Sequence, residues 1–222
     1  MAEARTLLDG PRYGPKNGGK PEQLVVLCHG IGADGYDLID LAPYWSAALP
    51  DACFVAPNAP EPNAQAPQGR QWFDITDRTP ARLAEGVRHA ARHLNAFIDA
   101  ELSRLGIPAR DYALMGFSQG AMTVLYTGLR RNPGPRAILA YSGALLAPEA
   151  LAAERANSAP VLLVHGELDE VLPAVLSHAA EQTLQQAGIA VESHFRAGLG
   201  HAIDDAGLSA GALFLQRAFA GG

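Results

Sequence analysis

The sequence predicts an α/β architecture, a mostly parallel, doubly wound sheet with helices on both faces. Three observations carry that prediction. Short β-rich runs of strand length recur at 23–28, 53–56, 112–116, 137–141, 161–164 and 191–196, with helix-like stretches between them. The runs LVVLC, YALM, AILAY and VLLV lack polar alternation, as strands covered on both faces do. Between 80 and 105, Leu83, Val87, Ala90, Leu94, Phe97 and Ile98 recur three and four apart, one apolar stripe of a long helix.

Taken in order, residues 1–22 read as an irregular lead-in to the same domain, rich in Gly and Pro from 10 to 21, and 23–222 as the folded domain. The opening Met1-Ala-Glu-Ala-Arg has no apolar segment, so no signal peptide is expected. Strand 23–28 leads through a Gly-rich turn into a helix over 37–48. Strand 53–56 leads into 57–71, which holds four prolines and no regular pattern and is expected to be a long loop. Thr79 and Pro80 supply the N-cap and first position of the long helix, and Gly106 and Pro108 stop it. Further helices are expected over 119–131, 173–187 and 208–219. The final strand, V-E-S-H-F-R, alternates and belongs near an edge. No remaining stretch is long enough for a separate cap domain.

Composition narrows the classes. With 48% hydrophobic and 18% charged residues the chain is globular, and a net charge of −6 without a Lys/Arg cluster argues against nucleic acid as a partner. The apolar runs are too short to span a bilayer. Cys28 and Cys53 lie in or beside apolar runs and are expected to be buried free thiols, in a reducing, cytoplasmic setting.

The chemistry concentrates at Gly116-Phe117-Ser118-Gln119-Gly120, at the junction of an expected strand and an expected helix. A serine there sits on a tight turn at a helix N-terminus, where free N–H groups favour negative charge, and the glycines relieve collisions across the turn. The competing reading is a helix cap between packing glycines. A serine nucleophile needs a base, and the base needs an orienting carboxylate. Two later loops offer them: His165-Gly-Glu-Leu-Asp169-Glu170 after one strand, and Gly198-Leu-Gly-His201-Ala-Ile203 after the next. Asp169 and His201 are the best candidates, with Glu167 and Glu170 left open beside Asp169.

The order Ser118, Asp169, His201 is that of the α/β-hydrolases. Of the other histidines, His89 and His93 are spaced like metal ligands but lack an acidic partner and read as a solvated helix face. His178 falls in a helix and His194 in a strand, and His165 reads as shaping its turn. The early loop Leu27-Cys28-His29-Gly30-Ile31-Gly32-Ala33-Asp34 is of the kind that supplies a second oxyanion donor. No Lys-Ser/Thr pair follows it, so no nucleotide site is read there.

With these segments assembled, the chain resembles the phospholipase/carboxylesterase family of small α/β-hydrolases, which includes the acyl-protein thioesterases. The resemblance runs from about Gln23 to the C-terminus. It rests on L-C-H-G-I-G with Asp34, Gln71-Trp-Phe-Asp74, G-F-S-Q-G, H-G-E-L-D-E-V-L-P and G-L-G-H-A-I. It implies an α/β-hydrolase fold without a cap, Ser118 as nucleophile, Asp169 as orienting acid and His201 as base. It further implies an oxyanion hole at the backbone N–H groups of Ile31 and Gln119, and Trp72 with Phe73 as a wall of the substrate pocket. Cys28 stands where leucine is expected.

The activity implied is a serine carboxylesterase working through an acyl-enzyme, with no cofactor or metal. Alternatives with the same chemistry are an acyl-protein thioesterase and a lysophospholipase. A serine peptidase has less support, and the rival from another class is a non-catalytic binding protein on the same fold. The partner expected is a small-molecule ester or thioester, with no nucleic acid, no stable membrane insertion and room for a homodimer.

Overall fold

The computed structural model describes residues 8–221. The opening stretch read for a signal peptide, residues 1–5, lies outside them. The chain runs β1 (Arg12–Tyr13), β2 (Gln23–Cys28), α1 (Gly35–Ile39), α2 (Ala42–Trp45), β3 (Ala52–Val55), β4 (Glu61–Asn63) and β5 (Ala66–Gln71). It continues through α3 (Pro80–Leu105), β6 (Tyr112–Phe117), α4 (Gln119–Arg130), β7 (Ala137–Tyr141) and α5 (Leu151–Glu154), then β8 (Val161–Gly166), α6 (Val175–Gln186), β9 (Val191–Arg196) and α7 (Asp205–Ala220).

Seven strands form one sheet in the order β1-β3-β2-β6-β7-β8-β9. All neighbours are parallel except β1, which runs antiparallel to β3. The unbroken apolar runs have their cause in two cores. Along β2, Leu24, Val26 and Cys28 join the core under α3, α4 and α6, while Val25 and Leu27 face the core of Trp45, Phe214 and Leu215 under α2 and α7. β9 lies at the edge, and its residues are all half-buried.

From β2 the chain first adds β3 on one side and then returns to place β6 on the other. The C-terminal ends of β2 and β6 therefore meet at the reversal of strand order, where connections diverge to opposite faces and leave a crevice. Ser118 follows β6 directly.

Four differences from the sequence expectations have physical reasons. Residues 57–71 are not loop throughout: β4 and β5 pair as an antiparallel two-stranded sheet with an irregularity at Pro62/Asn63. The Asn63 carboxamide closes its turn by accepting from Gln65 N (2.8 Å) and Ala66 N (2.9 Å), a bond that hydrophobic patterning does not register. The helix expected over 37–48 is two short helices, with Pro43 in the first turn of the second. Arg12 and Tyr13 leave the irregular lead-in to border the sheet. α5 was not foreseen, for it is a single turn. Thr79 and Pro80 do begin α3, and Gly106 ends it at φ +64°, though Thr79 makes no side-chain capping bond.

Both cysteines are free and buried. Cys53 pairs in register with Leu24 whereas Cys28 pairs with Gly116, four residues further along β2. That is about 13 Å at strand rise, and a disulfide spans less than about 7 Å between Cα atoms. Burial pushes both thiols up.

Candidate active site

The elbow between β6 and α4 holds Ser118 at φ 55°, ψ −118°, a region that favours glycine. Its N–H donates to Tyr141 O on β7 (2.9 Å), and its carbonyl accepts from Met122 N (3.2 Å). Ser118 is the N-cap residue of α4, but its side chain makes no capping bond. A Cβ at Gly116 would lie 2.3 Å from the Gly120 backbone, a collision across the turn as expected. A Cβ at Gly120 would instead lie 1.9 Å from Cys28 O, so this glycine serves the close approach of α4 to β2.

That approach brings the loop after β2 against the elbow. A Cβ at Gly30 would stand 3.4 Å from Ser118 Cβ. His29 is wholly buried, and Ala59 N donates to its Nε2 (3.0 Å), so Nδ1 carries the proton and donates to Gly30 O (2.7 Å). Burial lowers its pKa, consistent with a neutral ring. β5 clamps the same loop: Gly32 N donates to Arg70 O and Arg70 N to Ala33 O, each 2.8 Å. Among the described residues, no protein acceptor takes the N–H of Ile31 or of Gln119.

Trp72 and Phe73 stand deep in the protein, and Phe73 also borders a cavity with Asp74, Thr76 and Gly86. They are 0% and 1% exposed, inside the core under α3. Trp72 Nε1 donates to His29 O (2.9 Å), Trp72 N to Gln119 Oε1 (2.8 Å), and Gln119 Nε2 to Phe73 O (2.7 Å). The Gln119 side chain thus staples this segment to the elbow, and the indole fixes the loop after β2. Sequence reasoning missed that role of Gln119; the available signal was an amide directly after the serine, at the start of an otherwise apolar helix.

Asp169 and His201 come together on the loops after β8 and β9. His201 Nδ1 lies 2.6 Å from Asp169 Oδ2. Asp169 Oδ1 accepts from Val171 N (2.9 Å) and Leu172 N (2.8 Å). Burial works to raise the Asp169 carboxyl, but the Leu172 N–H, the His201 ring and the Val171 N–H together hold it below its ordinary value. Glu167 and Glu170 are exposed, so the geometry selects Asp169 from the three acids.

The two loops need each other's backbone. Leu168 N donates to Leu199 O (2.9 Å), and a Cβ at Gly166 would lie 2.3 Å from Gly200 O. Asp204 caps α7 through Gly207 N (2.8 Å) and pairs with Arg196 Nε (3.0 Å), which brackets the His201 loop. This Asp was missed as a support, though an Asp ahead of an apolar helical run is a readable cap. The His201 ring packs on Phe117, the residue before Ser118, with centroids 4.8 Å apart. No hydrogen bond joins Ser118 to His201 among the described residues.

Four of the other histidines stand apart from this pair. His89 and His93 face each other on the outer side of α3, Nε2 to Nε2 3.2 Å, His178 stacks on Phe195, and His194 pairs with Glu192. Among the described residues no group of three or more His, Cys, Asp or Glu could hold a metal ion, and no helix is long and apolar enough to cross a membrane.

The fold is that of the α/β-hydrolases, and the similar proteins make this chain a hydrolase of ester or thioester bonds. The chain belongs to the phospholipase/carboxylesterase family, whose family model matches residues 16–218. It is 31% identical over 186 residues to esterase YpfH of Escherichia coli K12, covering 83% of this chain and 78% of that one. It is 34% identical over 169 residues to acyl-protein thioesterase 1 of Schizosaccharomyces pombe, covering 72% and 74%. Among solved structures, that of esterase PE8 superposes with a TM-score of 0.90 at 42% identity, covering 96% of this chain and 99% of that one.

Proposed function

We propose that this protein is a serine carboxylesterase with Ser118 as nucleophile, His201 as general base and Asp169 as orienting acid. The observation that carries the reading is the 2.6 Å Asp169–His201 bond, made by a ring that packs on the neighbour of Ser118. Asp169 accepts at Nδ1, which leaves Nε2 as the lone-pair nitrogen. As an acyl carbonyl enters, Ser118 Oγ attacks the carbon and Nε2 takes its proton, which requires an Oγ–Nε2 hydrogen bond to form in the substrate complex. Negative charge gathers on the carbonyl oxygen. The N–H groups of Ile31 and Gln119, without protein acceptors, are available to hold it, the second with the support of the α4 dipole. His201 then protonates the leaving alcohol, and water, activated in turn by His201, releases the acid. The steps need no cofactor or metal.

A thioester as substrate is the second reading, favoured by the 34% identity to an acyl-protein thioesterase, since one triad cleaves either bond. A fluorophosphonate probe should label Ser118, as located by peptide mass mapping. Absence of label on folded protein would reject a nucleophilic serine and favour a binding protein. Hydrolysis of p-nitrophenyl esters from acetate to palmitate, beside a palmitoyl thioester, separates the two substrate readings.

A further inference from the structure

Behind the Asp169–His201 pair lies a second histidine that the chemistry above does not use. His165, in β8, is 0% exposed. Its Nε2 lies 2.8 Å from Leu172 O and 3.1 Å from Asp169 Oδ2. Both neighbours are acceptors only, so Nε2 carries a proton towards them. Its Nδ1, which then bears the lone pair, lies 2.6 Å from Ser177 Oγ on α6, and the buried Ser177 hydroxyl has one proton to give, either to Nδ1 or to Gly143 O (3.0 Å) on the loop after β7. The ring is therefore gripped at both nitrogens.

We propose that His165 is a positioning residue for the hydrolysis, whose Nε2–H holds Leu172 and faces Asp169 Oδ2 so that the carboxylate stays aimed at His201. The inference rests on the roles of Ser118, Asp169 and His201 proposed above. Leu172 is held from two sides: its N–H donates to Asp169 Oδ1, and its carbonyl accepts from His165. Loss of the imidazole strands a buried carbonyl and frees the segment that aims Asp169, because a buried acceptor without a donor relaxes towards another partner. An apolar residue at 165 could fill the space and still end the strand. It could not supply the Nε2 proton. Mere shaping of the turn predicts lower stability with unchanged turnover by the folded enzyme, whereas positioning predicts lower turnover at unchanged binding.

The test compares His165→Leu, His165→Gln, Ser177→Ala, Asp169→Asn and the His165→Leu/Asp169→Asn double variant of the full chain. Steady-state kinetics on a p-nitrophenyl ester are measured beside thermal melts. His165→Leu should lower kcat about 10²-fold with KM within about twofold, as misplacement of a catalytic group does. Glutamine, whose amide nitrogen reaches the Nε2 position, should return kcat to within about fivefold of wild type. In the Asp169→Asn background, His165→Leu should cost less than about threefold, since there is no carboxylate left to aim. Equal losses in the two backgrounds, or wild-type kcat in folded His165→Leu, would overturn the proposal. Wild-type kcat in Asp169→Asn would instead overturn the acid assignment itself, and the role of His165 with it. If His165→Leu does not fold, Ser177→Ala decides: a kcat lower by about tenfold at constant KM sustains the proposal, and unchanged kcat ends it.

Discussion

Ser118 and His201 occupy the same edge of the sheet but are held there by different physics. Ser118 stands between two wholly buried parallel strands, and its backbone is forced to φ 55° by close approaches in which a Cβ at Gly120 would come within 1.9 Å of a carbonyl. Steric exclusion of this kind is stiff and independent of pH. His201 follows the edge strand β9 on a half-exposed loop, and polar bonds do the holding: Asp169 at Nδ1, Leu168 N to Leu199 O, and the Asp204–Arg196 pair. The first and last of those bonds involve charged groups. The comparison teaches that Ser118 is placed by shape and His201 by electrostatics, and the two should fail under different perturbations.

The largest effect should be chemical. Ser118→Ala is expected to lower kcat by about 10⁴- to 10⁶-fold while the protein stays folded, because a triad acts as a unit. A folded variant that keeps more than about a tenth of wild-type activity contradicts the assignment.

Next comes the support beneath the elbow. Trp72→Ala should cost about 3 to 5 kcal/mol of stability and reduce activity on every ester alike, since the indole is a core anchor. A variant that melts normally and loses only bulky esters would return Trp72 to the pocket wall. A smaller effect isolates the backbone strain: Ser118→Gly should be about 1 kcal/mol more stable than Ser118→Ala in denaturant titration, because glycine adopts this conformation freely. Equal stabilities would mean that the elbow stores no strain.

The smallest effect lies on the electrostatic side. Asp204→Ala should cost about 1 kcal/mol through the lost cap. Asp169 and Asp204 are both held below their ordinary values, against burial, by their hydrogen bonds. A carboxyl depressed in the folded state contributes stability above its unfolded value, about 3.9, and loses it as pH falls through the folded value. Melting temperature should therefore drop as pH falls below about 4, and less steeply in Asp204→Ala. An identical acid slope in the variant would remove Asp204 from that account.

Much of this molecule is determined one segment at a time. The apolar stripe of α3, the two-faced runs of β2, β6, β7 and β8, and the glycines around Ser118 each express a local rule, since period, propensity and steric allowance act over a few residues. They suffice for the six parallel strands, the long helices and the place of the serine, but not for β1, the split first helix or α5. Tertiary structure alone decided what depends on partners distant in sequence. Asp169 prevails over Glu167 and Glu170 because the loop after β9 brings His201 to it, 32 residues on. Trp72 turns inward because His29 O and Gln119 accept its donors across more than 40 residues. The hairpin of β4 and β5 lacks a hydrophobic pattern, and hydrogen bonds from Asn63 and Arg70 form it and lock it onto the loop after β2. Such bonds follow from three-dimensional proximity, which no periodicity along the chain encodes.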